Sequence, residues 1–285
     1  MNSLSKAPGL PTAPDLPEGQ WALFLDIDGT LLEHAAHPDA VSVSDELRNL
    51  LGIVDERLDG AVAFITGRSV EGADRLFHPL KLRVAGLYGL EHRLTPDGPV
   101  VTADAPADIA ALADAIEAEL DDGLVHIERK GPILAIHTRA APHLLARATH
   151  LAEQALTELP KGYRVIPGNA GVELMPLEAA KGAAVRRFMA IPPLSGRRPV
   201  FLGDDTADEN GFEAINEAGG ISIRVKPRGP TVAQYRLDDV TCAIAWLAAN
   251  FDASLPSIAK RPDRCRLQIE SRSPRLRRPS PKAAR

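Results

Sequence analysis

Trp21-Ala-Leu-Phe-Leu-Asp-Ile-Asp-Gly-Thr-Leu31 changes character halfway: five apolar residues run straight into two carboxylates one residue apart, then a glycine and a hydroxyl. An unbroken apolar run of this length suits a strand buried on both faces of a parallel sheet. Its polar end marks where the strand leaves the sheet, the place where open α/β folds carry their sites. Asp26 and Asp28 repel each other when both are ionised, and a cation or a shared proton relieves that cost. Magnesium takes oxygen ligands, and Gly29 lets backbone groups approach a phosphate closely. A capped strand ending in an Asp-Gly turn is the plainer alternative.

Two more apolar runs end in the same way. Ala61-Val-Ala-Phe-Ile65 stops at Thr66-Gly67-Arg68, and Pro199-Val-Phe-Leu202 stops at Gly203-Asp204-Asp205, with Asp208 and Glu209 beyond. Lys181 stands between them at the start of a helical pattern. Ser44 to Leu58 predicts a helix, with Ser44 as cap, Asp45 and Glu46 in the first turn, and an apolar stripe through Leu47, Leu50, Leu51, Val54 and Leu58. Strand, helix and strand in that order form the right-handed crossover of a parallel sheet.

Past His92 the rhythm changes. Ile109, Leu112, Ile116 and Leu120 predict a helix, followed by short alternating strands that turn near Gly131-Pro132. A second helix through Leu144, Leu145, Ala148, Leu151 and Ala155 precedes another strand pair, turning at Gly168-Asn169. The fold class is therefore α/β: a parallel-sheet core at 21–94 and 175–252, interrupted at 95–174 by an α+β insertion of order α-β-β-α-β-β.

Composition sets outer bounds. A chain of 285 residues holds one large domain or two moderate ones, and 45% hydrophobic with 4% aromatic content predicts aliphatic, alanine-rich cores. Residues 1–20 carry prolines and no periodicity, which predicts a disordered leader rather than a signal peptide. No run is long enough to span a membrane. The net charge of −5 hides an asymmetry, because Pro256 to Arg285 holds ten Lys/Arg against two Asp/Glu. Residues 253–285 are expected to be a basic disordered tail, a solvated appendage in preference to an arm for nucleic acid or an acidic partner. Cys242 and Cys265 are the only cysteines; no disulfide and a reducing cytoplasm are expected, and no Cys/His spacing suggests zinc.

The motifs and their order resemble those of the haloacid dehalogenase (HAD) superfamily of phosphatases. Asp26-Ile-Asp-Gly-Thr-Leu31 is similar to its motif I, Thr66-Gly67-Arg68 to motif II, Lys181 to motif III, and Gly203-Asp204-Asp205 with Asp208 to motif IV. The resemblance implies a Rossmann-like core with a C2-type cap inserted between motifs II and III. It also implies a chemistry. Asp26 would attack phosphorus and form an aspartyl-phosphate, while Asp28 would protonate the leaving alcohol and then activate water. Thr66 and Lys181 would hold the phosphoryl oxygens. Mg2+ would be bound by Asp26, the backbone carbonyl of Asp28 and Asp204, with Asp205 and Asp208 as outer ligands or as partners of Lys181.

A narrower resemblance, spanning Trp21 to Asn250, is to trehalose-6-phosphate phosphatases. It is carried by Leu87-Tyr-Gly-Leu-Glu-His92, by Glu128-Arg-Lys130 with Ile136-His-Thr-Arg139, by Gly171-Val-Glu-Leu-Met-Pro176 and by Gly203 to Phe212. It implies a sugar phosphate as partner, contacted by Asp26, Ile27, Asp28, Gly67 and Arg68 from the core. From the cap it implies Glu128, Lys130, His137, Arg139 and Glu173. A monomer or weak oligomer is expected. Two positions depart from the pattern: Met175 stands where the family has lysine, and Ala207 where it has threonine, with Thr206 beside it able to supply a hydroxyl. Strand alternation alone places His126, Glu128 and Lys130 on one face, which plain solvated surface would also explain. A phosphatase of sucrose phosphate or mannosyl-phosphoglycerate, and a sugar-phosphate sensor without catalysis, are the other readings.

Overall fold

The structure, a computed structural model, describes residues 9–34, 41–168, 170–251 and 253. In chain order its first half comprises β1 (Trp21–Leu25), α1 (Asp45–Arg57), β2 (Val62–Ile65), α2 (Val70–Phe77), β3 (Arg83–Gly86), β4 (Glu91–Arg93), β5 (Val101–Thr102), α3 (Ile109–Leu120), β6 (His126–Lys130) and β7 (Ile133–His137). The second half comprises α4 (Leu145–Ala155), β8 (Tyr163–Gly168), β9 (Gly171–Pro176), α5 (Lys181–Met189), β10 (Arg198–Gly203), α6 (Glu209–Glu217), β11 (Ile221–Val225), β12 (Tyr235–Leu237) and α7 (Val240–Asn250).

The three apolar runs lie side by side in an eight-stranded sheet of order β12-β11-β10-β1-β2-β3-β4-β5. Its strands from β12 to β3 are parallel, β4 runs antiparallel to β3, and β5 runs antiparallel to β4. All five residues of β1 are buried, as a central strand covered on both faces requires. Leu25 is level with Leu202 on one neighbour and with Phe64 on the other. Asp26, Thr66 and Asp204 therefore emerge at one edge of the sheet. Helix α1 forms where expected: Ser44 accepts the Leu47 amide at 3.2 Å, and Leu47, Leu50, Leu51 and Val54 face the core.

The insertion has the expected element order. Its antiparallel sheet, β6-β7-β9-β8, buries Ile127, Ile136 and Leu174 against Leu112 and Ile116 of α3 and Ala148 of α4. Because side chains alternate along a strand, Glu128, Lys130, His137 and Glu173 project from the other face, toward the ends of the parallel strands.

Several sequence expectations need correction. Residues 9–20 of the expected leader are packed: Ala13 is buried, its amide bonds to Arg236 O at 3.0 Å, and Trp246 donates to Pro14 O at 2.8 Å. Prolines remove backbone donors and impose extended chain, so this segment gains its order from distant partners and shows no period of its own. The insertion boundaries also move. Val101–Thr102 pairs with β4 in the large sheet, while Met175 and Pro176 complete β9. Cys242 is buried in α7 and takes part in a disulfide, against expectation; Cys265 lies outside the described residues. Ala253 is still buried against the core, and the rest of the expected tail lies outside the described residues, as do residues 1–8 of the leader. Among the described residues no helix is long and apolar enough to cross a membrane.

Candidate active site

Asp26 sits at the end of β1 with its amide bonded to Leu202 O at 2.9 Å, and the residue is 5% exposed. Lys181, the first residue of α5, reaches Asp26 Oδ1 at 2.7 Å and Asp208 Oδ1 at 2.6 Å. The Thr30 hydroxyl approaches Asp26 Oδ2 at 3.3 Å. Burial pushes the Asp26 carboxyl well above its ordinary range, against the pull of Lys181, and the neighbouring Asp208 and Asp204 push it further. Burial would lower Lys181, but the two carboxylates outweigh it and hold the amine firmly protonated.

Asp208 is the pin of this cluster. Its Oδ2 accepts the amides of both Asp204 and Asp205 at 2.9 Å while Oδ1 holds Lys181. Both of its oxygens are thus engaged, which makes it the partner that aims Lys181 rather than a free metal ligand. Asp205 caps the short turn Thr206–Asp208 by accepting the Thr206 amide at 2.6 Å. The amide of Gly182 donates to Asn210 Oδ1 at 2.6 Å, fixing the start of α5 that carries Lys181.

The arrangement fits a divalent cation. Asp26, Asp204 and Asp208 bring carboxylate oxygens within 4.8 Å of one another, and Asp204 Oδ1 is buried with no hydrogen-bond partner. Such an orphaned oxygen in a crowd of acids is what a cation would satisfy. Gly29, at φ +83°, lies against Asp204; a Cβ there would fall 2.0 Å from Oδ2. With Asp208 engaged, Asp26 and Asp204 are the side chains that would hold the ion.

Asp28 is gripped by Arg68, whose Nε and Nη2 donate to its two oxygens at 2.6 Å each. Arg68, expected to touch substrate, is thus turned toward the second carboxylate of the first motif. Thr66 is buried at the end of β2, and its hydroxyl accepts the Arg68 amide at 3.2 Å. Ile27 is fully buried in the core, so any contact with substrate falls to its backbone.

Facing this edge, His137 Nε2 lies 3.0 Å and Lys130 Nζ 3.1 Å from Glu128 Oε2, and Lys130 is 3.6 Å from Glu173. Burial would push the Glu128 carboxyl up, but the His137 bond and the Lys130 charge bring it down to about 2. Arg139 lines the same space. Between the two sheets lie adjoining cavities of about 430 and 610 Å³, the first over Asp26, Asp28 and Glu128, the second along Arg164 and Glu173. Met175 is 2% exposed, packed with Leu87, Leu90, Ile133 and Ala179, so the departure from lysine places an apolar side chain in an apolar cluster.

Two residues of the site were not singled out in the sequence, although Tyr88 lies within the Leu87–His92 segment that carries the family resemblance. His34 Nε2 lies 3.1 Å from Asp204 Oδ2, a bond that raises the imidazole above its ordinary value. Tyr88 donates to Glu173 at 2.8 Å across the two sheets. Neither stands at the end of an apolar run, the cue that exposed the others.

A family model described as trehalose-phosphatase matches residues 24–241. The chain is 43% identical to a "probable trehalose-phosphate phosphatase" of Sinorhizobium fredii (strain NBRC 101917 / NGR234), over 79% of this chain and 84% of that protein. It is 35% identical to the trehalose-6-phosphate phosphatase of Escherichia coli (strain K12), over 84% and 89%. In fold it is similar to the C-terminal domain of Candida albicans trehalose-6-phosphate phosphatase, with a TM-score of 0.69 at 22% identity over 83% of this chain and 93% of that one. It also resembles a HAD-superfamily phosphatase of Bacteroides thetaiotaomicron, with a TM-score of 0.54 at 17% identity over 88% and 100%.

Proposed function

This chain belongs to the trehalose-phosphatase family of HAD phosphatases, and from that premise we propose that Asp26 cleaves the phosphate of trehalose 6-phosphate with the help of a magnesium ion. The observation that carries the proposal is the convergence of Asp26, Lys181, Asp208 and Asp204 at one sheet edge, with an unsatisfied Asp204 oxygen among them.

In this reading Asp26 Oδ2 attacks phosphorus while Lys181 neutralises charge developing on the phosphoryl oxygens. The Arg68 fork occupies both Asp28 oxygens and must open before Asp28, carrying a proton, gives it to the departing sugar oxygen. Asp28 then takes a proton from the water that hydrolyses the aspartyl-phosphate. Asp26 and Asp204 would hold the ion, which supplies charge neutralisation at the phosphate and keeps Asp26 ionised despite its burial. The face bearing Glu128, Lys130, His137, Arg139 and Glu173 supplies donors and acceptors for paired sugar hydroxyls and acts as a cap over the core. The proposed location is the cytoplasm, because a charged phosphate ester stays in the compartment where it is made; the disulfide at Cys242 lends it no support.

The test is phosphate release from a panel including trehalose 6-phosphate, sucrose 6-phosphate and glucose 6-phosphate, with magnesium and with EDTA, for wild type and Asp26→Asn. Selective, magnesium-dependent release from trehalose 6-phosphate that vanishes in Asp26→Asn is expected. Preference for another sugar phosphate overturns the substrate, and full activity in Asp26→Asn overturns the mechanism.

A further inference from the structure

Among the described residues, the turn from Gly86 to Leu90 is where two consecutive non-glycine residues adopt left-handed backbone, Leu87 at φ 49° and Tyr88 at φ 57°. Such conformations are costly and persist where surrounding bonds over-determine them, commonly at functional sites. Here the bonds come from the catalytic edge itself. The Tyr88 amide donates to Thr66 O at 3.0 Å, the Leu87 amide to Arg68 O at 2.9 Å, and Arg187 of α5 to Gly89 O at 3.0 Å. Leu87 and Leu90 pack on Ile133 and Met175 of the opposite sheet. The turn therefore touches the Thr66 loop, the helix of Lys181 and the cap at once.

The strained backbone aims one side chain. The Tyr88 ring crosses Gly67, where an added Cβ would lie 2.7 Å from the phenol oxygen, and its hydroxyl donates to Glu173 Oε2 at 2.8 Å. The other Glu173 oxygen stays near Lys130, at 3.6 Å. Tyr88 lines both adjoining cavities. If the ring served packing alone, a phenylalanine would fill the same space and the hydroxyl would be idle.

We propose that Tyr88 is a positioning residue for substrate choice: a strut, fixed by the strained turn, that holds Glu173 of the cap at a set distance from Asp26. A phosphate ester whose alcohol reaches Glu173 then gains from the strut, and one with a small aromatic alcohol does not. This rests on the sugar-phosphate reading of the site.

The experiment compares kcat/KM for trehalose 6-phosphate with that for p-nitrophenyl phosphate in wild type, Tyr88→Phe, Glu173→Gln and the double variant. In Tyr88→Phe the ratio of the two is expected to fall roughly tenfold, mostly through KM for the sugar ester, as loss of a hydrogen bond to a charged group predicts. In the Glu173→Gln background the same change should cost little more, because the two act as one unit. A merely structural role would lower both substrates together and leave the ratio alone; that result, an unchanged ratio of any kind, or fully additive losses would overturn the strut. If the wild type prefers a different sugar ester, the substrate reading fails, and the same ratio taken with that ester decides the strut. Cleavage of p-nitrophenyl phosphate but of no sugar ester overturns both.

Discussion

The edge of the parallel sheet and the face of the cap sheet meet across one cavity, yet they are built differently. At the edge, Asp26, Lys181 and Asp208 are at most 5% exposed and joined by hydrogen bonds of 2.6–2.7 Å. On the cap, Glu128 and His137 keep about a third of their side chains in contact with solvent, and Lys130 serves two carboxylates at 3.1 and 3.6 Å. The buried set is preorganised, as stabilising charge on a reacting phosphoryl group demands. The cap set is looser and solvated, which suits groups that must exchange water for sugar hydroxyls. On the proposed mechanism this difference separates chemistry from choice of substrate, and substitutions on each side should show it.

The largest effect belongs to the buried edge. Asp26→Asn keeps the shape but removes the proposed nucleophile, so phosphate release should fall on the order of 10⁴-fold or more whatever the ester, as single-turnover kinetics would show. Asp28→Asn should slow formation of the aspartyl-phosphate, read as kcat/KM, by roughly 10²–10⁴-fold for sugar esters and far less for p-nitrophenyl phosphate, because a phenolate leaves without a proton. The later loss of Asp28 as base slows both esters alike and does not enter kcat/KM. Equal losses on both esters would remove Asp28 from its acid role. Lys181→Met strands two buried acids without a cation, and denaturant melts should show a loss of about 3–5 kcal/mol.

On the cap, effects should be smaller and confined to sugar substrates. Glu128→Gln is expected to raise KM for the sugar ester by roughly tenfold, with kcat little changed, since the lost bond serves binding before reaction. A fall in kcat of the same size would erase the separation of the two regions. The smallest effect is a pH dependence. Glu128 titrates lower in the folded protein, at about 2, than its ordinary 4.5. Its contribution to stability is therefore complete above pH 4.5 and lost as pH falls toward 2. The stability gap between wild type and Glu128→Gln in urea melts should narrow over that window, by well under 1 kcal/mol given solvent screening.

The same division governs what could be read ahead of the structure. Asp26, Thr66 and Asp204 each end an apolar run, and a run's length and abrupt polar end are local properties, visible without knowing the neighbours. The cap residues were named by the family resemblance; from the residues alone they read only as strand alternation, which a wet surface would produce equally. Opposition to Asp26 is what distinguishes Glu128 from Arg129, whose guanidinium turns away to Asp114 and Glu117. The packed leader was illegible because Pro11, Pro14 and Pro17 suppress any period.

By itself, then, the chain's pattern determined a parallel sheet with an inserted α+β unit and the acids at the strand ends, since burial on two faces and alternation on one are written within a few residues. Tertiary structure alone decided that Arg68 grips Asp28 forty residues away, that Asp208 rather than Asp205 holds Lys181, and that Tyr88 reaches Glu173 over a separation of 85. Those bonds depend on where the chain path brings distant side chains, and a hydrogen bond needs placement to within a few tenths of an ångström. Residue type and spacing carry no such information until the sheets are packed.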